Sequence, residues 1–164
     1  MALDSVEKLF IDELKDLYSA ENQITKTLPK LAKSSSSPDL RKAFEHHLKE
    51  TEGHVQRLDQ VFEILGTSGK GKTCEGMKGV LSEGAEMMKE APEGALRDLA
   101  MISAAQRVEH YEMAAYGTVR SYAERLGQTR IAKLLEETLE EEKAADKKLT
   151  EVSEKFNIQA KHAA

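Results

Sequence analysis

The sequence is poor in the residues that stabilise small secreted domains and all-β proteins. It has one cysteine and no tryptophan among 164 residues, so a disulfide within the chain is impossible and nothing indicates an oxidising compartment. Aromatic residues make up 5% of the chain and prolines number three, whereas charged residues make up 32%. This balance favours exposed amphipathic helices over sheets.

The chain also lacks long apolar runs and clusters of basic residues. No stretch approaches the roughly 20 apolar residues of a membrane span, and the N-terminus has neither a basic leader nor an apolar block. A net charge of -5 argues against a surface that binds nucleic acid. We therefore expect a soluble cytoplasmic protein without membrane or nucleic-acid partners, folded as one domain over 1–164.

Periodic apolar positions, separated by turn signals, predict four long helices and one long connection. The helices are expected over about 4–32, 38–65, 93–126 and 129–156, and the connection over 66–92 contains a short, weak helix over 74–91. Asp4 and Glu7 have the spacing of a capping box, Ser37 and Pro38 indicate a helix start, and Gly66 indicates a helix end.

Connection lengths then determine the topology. The joints between the first two and between the last two long helices are short, so each pair is predicted to form an antiparallel hairpin. The single long connection can carry the chain back along the bundle, which is the arrangement of ferritin-like proteins rather than of simple up-down bundles. The predicted fold class is all-α, a ferritin-like four-helix bundle whose crossover carries a short fifth helix.

Each long helix carries polar or ionisable side chains on the stripe that its periodicity predicts to be apolar. They are Glu21 in the first helix, His47, Thr51 and His54 in the second, Glu109 and Glu112 in the third, and Glu142 in the fourth, while Glu50 lies beside the second stripe. Ionised groups in a dry core are costly unless something compensates them, and several that converge repel one another. A bound cation of high charge removes both problems, so the pattern predicts a metal site.

The spacing of these residues is close to a known arrangement, with two departures. In ferritin-like di-metal proteins, two helices each supply one glutamate and the other two each supply a Glu-x-x-His pair. The first and third helices fit this arrangement. The second helix has Thr51-x-x-His54 instead, and the fourth has Glu142-x-x-Ala145.

Neighbouring acids are the expected replacements in these two helices. Glu50 stands four residues before His54 and Asp146 four residues after Glu142, spacings that keep side chains on one helix face. The oxygen-rich set favours iron or manganese over metals that seek thiolates. The predicted ligands are Glu21, Glu50, His54, Glu109, Glu112, Glu142 and Asp146, whereas His46, His47 and His110 are predicted to be structural or exposed.

The two predicted hairpins also look like degenerate copies of each other. Glu21 corresponds to Glu109 when the first halves are aligned, and His54 corresponds to Ala145 when the second halves are aligned. Such pseudo-twofold symmetry directs two similar ligand sets toward one central position.

Three segments resemble the YciE/YciF family: Glu13-Leu-Lys-Asp-Leu-Tyr-Ser-Ala-Glu21, Ala104-Ala-Gln-Arg-Val-Glu-His-Tyr-Glu-Met-Ala-Ala-Tyr-Gly117 and Glu141-Glu-Lys-Ala-Ala-Asp-Lys-Lys-Leu149. The resemblance covers nearly the whole chain. It implies a bacterial, cytoplasmic, ferritin-like dimer associated with stress responses and related to rubrerythrin, without an established reaction. The rubrerythrin likeness supports Glu109-x-x-Glu112 as a pair of ligands, whereas one cysteine cannot build rubrerythrin's cysteine-ligated iron domain.

Three functions are consistent with these features. The first is a di-metal protein, with di-iron expected and manganese as the alternative, that reacts with O₂ or peroxide. The second is sequestration of metal during stress without catalysis, and the third is an interaction module whose acidic core is vestigial. Amphipathic helices often bury a second face against a copy of themselves, so physics and family likeness together predict a homodimer.

Overall fold

The computed structural model describes residues 3–156 and contains five helices in this part of the chain. They are α1 (Val6–Ser34), α2 (Pro38–Leu65), α3 (Glu75–Glu90), α4 (Ala95–Arg125) and α5 (Thr129–Ser153). The long helices α1, α2, α4 and α5 correspond to the four predicted ones, and α3 lies in the crossover. Helix α5 ends three residues before the predicted end at Phe156. The rest of the predicted domain, 1–2 and 157–164, lies outside the described residues.

Side-chain caps and backbone geometry fix the ends of the first two helices. Ser5 caps α1 by accepting a hydrogen bond from the Lys8 amide at 3.2 Å, so Asp4 is not the capping residue. Ser37 accepts from the Leu40 amide at 3.3 Å and Pro38 occupies the first position of α2. Gly66 ends α2 with a φ of 63°, a left-handed conformation that glycine adopts without a steric penalty.

Apolar side chains form two layers, one toward each end of the bundle. One layer joins the first half of α1 to the second halves of α2 and α4 and the first half of α5, and includes Phe10, Leu58, Val119 and Ile131. The other joins the complementary halves and includes Ile24, Phe44, Ile102 and Leu149. Each layer thus combines opposite ends of α1 and α2, and of α4 and α5, so both hairpins are antiparallel, as predicted.

The crossover helix α3 packs on the bundle against α1 and α4. Met77 of α3 is fully buried against the bundle. Gly84 of α3 lies so close to α4 that an added Cβ would stand 2.9 Å from the Ala104 Cβ. A side chain at position 84 would therefore push the two helices apart. In the described part of the chain, none of the helices combines the length and the apolar character needed to span a membrane.

A buried carboxylate ties the first turn of α4 to the joint between α1 and α2. Asp98 is 0% exposed and accepts hydrogen bonds from the backbone amides of Ser36 and Ser37 at 2.9 and 2.7 Å. These amides stand at the N-terminus of α2, where negative charge is stabilised by the unpaired amides and the helix dipole. The contact holds the two hairpins in register at this end of the bundle.

Candidate metal centre

A layer of ionisable side chains separates the two apolar layers. Each helix of the bundle contributes from the middle of its length, and every member is at most 6% exposed. The members are Glu21 of α1, His47 and His54 of α2, Glu109 and Glu112 of α4, and Glu142 of α5. The interruptions in the apolar stripes therefore converge in space, as the sequence predicts.

These residues form two groups that share one carboxylate. His47, Glu109, Glu112 and Glu142 make the first group, and Glu21, His54 and Glu142 make the second. In each group, the nitrogen and oxygen atoms that could bind a metal ion lie within 4.8 Å of one another. The two oxygens of Glu142 face different groups: Oε2 lies 3.7 Å from His47 Nε2, and Oε1 lies 2.9 Å from His54 Nδ1.

Many of the inward-facing polar atoms have no hydrogen-bond partner in the described structure. Both carboxylate oxygens of Glu112 and of Glu142 are in this state, as are His47 Nε2 and His54 Nδ1. The close approach of His54 Nδ1 to Glu142 therefore lacks hydrogen-bond geometry. Buried polar atoms are nearly always satisfied, and each one left bare costs about 1–3 kcal/mol. Carboxylate oxygens and imidazole nitrogens that converge without partners are the donor set that a divalent cation satisfies.

Each imidazole also contacts a carboxylate outside the groups through its other ring nitrogen. His54 Nε2 lies 2.8 Å from Glu141 Oε2, which in turn accepts from the Arg57 guanidinium at 2.9 Å. His47 Nδ1 lies 3.4 Å from Glu50 Oε2. Outer carboxylates of this kind fix the orientation and tautomer of histidines that bind metals.

Burial and mutual repulsion favour the protonated forms of several carboxyl groups in this layer. Burial, followed by the charge of Glu142, raises the pKa values of Glu109 and Glu112 well above the ordinary 4.5. Burial also raises the pKa of Glu21, although His54 acts against it. Burial disfavours the charged form of His54, but its contacts with Glu142 and Glu21 outweigh this and raise its pKa to about 10. A cation that enters must displace these protons.

Tyr116 of α4 extends the second group. Its hydroxyl donates a hydrogen bond to Glu21 Oε1, and the side chain is 0% exposed. Burial and the nearby charges of Glu21 and Glu112 raise the pKa of Tyr116 well above 10.0, so it remains a donor. It therefore fixes one oxygen of Glu21 while Oε2 has no partner within residues 3–156.

A family model described as a domain of unknown function, DUF892, matches residues 5–162. The chain belongs to the DUF892 family. It is 47% identical over 154 residues to protein YciF of Escherichia coli K12, covering 93% of each sequence. This confirms the resemblance to YciE/YciF proteins seen in the sequence.

Solved structures confirm the ferritin-like fold of this DUF892 protein. The crystal structure of the E. coli stress protein YciF matches with a TM-score of 0.87 at 48% identity, covering 92% of this chain and 96% of that one. A putative structural protein from Rhodopseudomonas palustris matches at 0.88 and 41%, covering 92% and 97%. A Bacillus anthracis structure described as ferritin-like, diiron-carboxylate matches at 0.70 over 93% and 99%, and at 18% identity it supports the fold alone.

Of the predicted ligands, the structure leaves two outside the groups of this DUF892 protein. Glu50 lies 3.1 Å from His46 Nδ1 and contacts His47 from its outer side. Asp146 accepts from Gln106 at 3.1 Å at the edge of α4 and α5. Helical spacing places both acids near the correct face, but each side chain turns toward a polar partner on the rim. Glu21, His54, Glu109, Glu112 and Glu142 are brought together.

Thr51 stands where the di-metal arrangement has a glutamate, and it does not join either group. Its hydroxyl donates to the His47 carbonyl of its own helix at 2.9 Å. His47, predicted to be structural or exposed, is instead a member of the first group. The available signal was its position on the apolar stripe, three residues after Phe44 and seven before His54. Glu141, the outer partner of His54, carried no such signal.

Proposed function

We propose that this protein binds two divalent metal ions, iron first and manganese as the alternative, in the layer between its apolar clusters, and uses them in a redox reaction with O₂ or peroxide. The observation that carries the proposal is Glu142, whose two oxygens lack partners in the described structure and face separate groups. The diiron-carboxylate description of the B. anthracis neighbour is consistent with it. By analogy with the stress protein YciF, we further propose a role in stress responses. The amphipathic helices and the absence of a membrane-spanning helix in residues 3–156 lead us to propose in addition that the protein acts as a cytoplasmic homodimer.

The donor sets fit such ions. The first group offers three carboxylates and the imidazole of His47, and the second offers two carboxylates and the imidazole of His54. Mixed oxygen and nitrogen donors suit iron and manganese. When bound, the metal pair supplies the electrons for reduction of O₂ or peroxide.

The protein's own residues position the donors, hold protons and exclude water. With Nδ1 directed at Glu50, His47 presents Nε2 to the first group; with Nε2 directed at Glu141, His54 presents Nδ1 to the second. The Tyr116 hydroxyl holds Glu21 by donating to it. The apolar layers on either side keep bulk water from the carboxylates, which strengthens their attraction to a cation.

Metal analysis tests the binding step. We expect about two ions per chain by mass spectrometry after purification without chelators or after anaerobic loading with ferrous ion, one for each group. Glu142→Gln removes the negative charge that both groups share and replaces one of the two oxygens by an amide nitrogen, which does not bind cations, so it is expected to lower the metal content of both groups. Glu140→Gln is the matched control, since Glu140 lies on the same helix and is 59% exposed. Absence of metal under both conditions contradicts the proposal and favours the interaction module.

Peroxide consumption tests the redox step. Anaerobically loaded ferrous protein is mixed with excess hydrogen peroxide and a reductant, and peroxide is followed over time. Decay over many equivalents per site supports catalysis. A single oxidation per site contradicts catalysis and supports sequestration of metal.

A further inference from the structure

A cavity of about 400 Å³ opens between α2 and α5 and ends at the candidate metal centre. His47 and Glu109, two members of the first group, form part of its lining. The volume is within the range of small-molecule sites, about 300–1,000 Å³. The cavity therefore leads from the protein surface to two residues of the first group and is large enough for an organic molecule.

Apolar side chains form the walls of the cavity. Phe44 lies one turn before His47 on α2, and Leu149 and Val152 line the facing side of α5. The small side chain of Ala145 leaves space between α2 and α5. In the internal repeat this position corresponds to His54, whose imidazole is buried in the second group, whereas the methyl group of Ala145 leaves the space beside Glu109 open.

The rim of the cavity carries lysines that are not matched by acids. Lys155 is paired with Asp39 at 2.7 Å. Lys42 has no ion-pair partner within 4.0 Å in the described residues, and Lys148 has only an exposed contact with Glu151 at 3.7 Å. Two cations thus remain available at the rim, which suits a negatively charged group.

Besides Glu109 at its inner end, the cavity lining contains two acids, and neither neutralises these lysines. Lys42 and Lys148 add to the effect of Lys155 in lowering the pKa of Asp39, so this one acid faces three lysines. Glu50 Oε2 lies 3.1 Å from His46 Nδ1 and 3.4 Å from His47 Nδ1, and is thus engaged by its own helix. The cavity has a cationic mouth, apolar walls and an acidic end. A small ion would make no contact with the apolar walls, and a neutral hydrocarbon would make no ion pair with the lysines at the mouth.

We propose that this cavity binds an anionic amphiphile, an alkyl chain with a carboxylate head, with the head at Lys42 and Lys148 and the chain along Phe44, Leu149 and Val152. This deepens the proposed function, on which any chemistry at the chain depends. The far end of the chain meets His47 and Glu109. The reacting part of such a substrate is therefore the end remote from its carboxylate, and the lysines select the orientation.

Calorimetric titration of the metal-free full-length protein with octanoate tests the binding directly. We expect saturable binding of octanoate, and binding of octan-1-ol weakened roughly tenfold because it lacks the charge that the two lysines pair with. We expect no binding of acetate, which lacks the chain. Added salt should lower the affinity for octanoate and leave the affinity for octan-1-ol unchanged. Equal affinities for octanoate and octan-1-ol, or binding of acetate as tight as that of octanoate, overturn the proposal.

Two sets of variants locate the site. Ala145→Leu fills the cavity and is expected to abolish octanoate binding, whereas Ala144→Leu, on the exposed neighbouring position, keeps it. The double variant Lys42→Gln/Lys148→Gln is expected to bind octanoate with roughly tenfold lower affinity. Lys78→Gln/Lys143→Gln removes two exposed charges elsewhere and keeps the affinity. The lysine variants change only exposed side chains, so they remain informative if Ala145→Leu fails to fold.

Parallel measurements separate this inference from the proposed function. Metal retained without octanoate binding overturns the cavity proposal alone, whereas octanoate bound by a protein that takes no metal supports the cavity and overturns the metal proposal. Sedimentation is followed along the titration. If octanoate binds only when a dimer of the protein dissociates, a second copy covers the cavity, and the proposal is overturned.

Discussion

Among the ionisable side chains that separate the two apolar layers, Glu112 has the fewest partners that could compensate a negative charge. It is 0% exposed and neither of its oxygens has a hydrogen-bond partner within residues 3–156. Burial and the charges of Glu142, Glu21 and Glu109 raise its pKa well above the ordinary value. Without metal, burial therefore favours the neutral form of this carboxyl, since ionising it would place an unpaired charge in the interior.

Replacing this carboxyl by its neutral isostere should separate stability from metal binding. We expect Glu112→Gln to leave the metal-free protein as stable as the parent at pH 8, or more stable by about 1 kcal/mol, because a buried ionisable acid is removed. We expect its affinity for ferrous or manganous ion to fall by at least about tenfold. Thermal denaturation and calorimetric titration measure the two effects.

Glu124→Gln is the control for this substitution, because Glu124 lies on the same helix and is 54% exposed. It should change neither quantity. A Glu112→Gln protein that binds metal like the parent would show that this side chain is not a ligand.

The position of an acid on an apolar stripe predicts whether it is buried. It does not predict whether the acid joins the metal-binding groups, because that depends on the direction of its side chain. Glu21, Glu109 and Glu142 were identifiable because apolar residues flank them one turn away on either side. Glu50 and Asp146 have suitable spacing, but Glu50 turns toward His46 and His47 of its own helix and Asp146 turns toward Gln106 of α4. His47 was missed because a histidine on such a stripe is equally compatible with a structural role in a core.

At the scale of helices, local signals predicted where the first joint lies but not what holds it. Ser37 and Pro38 mark the start of α2 in the sequence, and Ser37 is its cap. Asp98 also binds this joint, across 62 residues of sequence from Ser36. A contact of this kind depends on how hairpins pack, so a single sequence carries no direct signal for it.

Loss of the Asp98 carboxylate should destabilise the whole bundle. Asp98→Ala leaves the amides of Ser36 and Ser37 without their acceptor, and we expect the free energy of unfolding to fall by about 1–3 kcal/mol. Chemical denaturation measures this. Asp98→Asn retains one acceptor oxygen and should lose less.

An acid in the first turn of α2 provides the comparison. Asp39 is 53% exposed, and Asp39→Ala is expected to change stability by no more than about 1 kcal/mol. Equal losses for Asp98→Ala and Asp39→Ala would mean that the buried contact has no special role.

At the scale of the whole molecule, the fold was predictable because connection lengths restrict how four helices can be joined. Two short joints and one long crossover leave few arrangements, and the chain has the ferritin-like one. The crossover helix α3 has weak intrinsic signals because of its glycines. It forms nevertheless, since Met77 and the close approach at Gly84 dock it on the bundle.

The charged layer should make the stability of the metal-free protein fall as pH rises. The pKa values of Glu109 and Glu112 are raised above 4.5 in the folded state, so the folded protein binds more protons than the unfolded chain above that pH. The pKa of His54 rises from 6.5 to about 10, so its contribution is fully present below 6.5 and is lost as pH rises through 10. The effects of Glu109 and Glu112 begin above pH 4.5, the effect of His54 acts between pH 6.5 and 10, and all three have the same sign.

Thermal denaturation across this pH range measures the effect. We expect the Tm of the metal-free protein to drop by at least about 5 °C from pH 6.5 to 9. Saturating manganous ion should reduce the drop, because metal binding displaces the same protons and grows stronger with pH. In the Glu109→Gln/Glu112→Gln protein the slope should be shallower. A Tm that stays constant or rises over this range would contradict the protonation scheme.

If each group holds an ion as proposed, the two sites cannot fill independently, because Glu142 belongs to both groups. A cation in the first group draws charge from a side chain that the second group also needs, and it simultaneously fixes that side chain in place. The first effect weakens the next binding event and the second favours it. Titrations should therefore deviate from a model of two equal, independent sites, and a half-filled species should have its own spectroscopic signature.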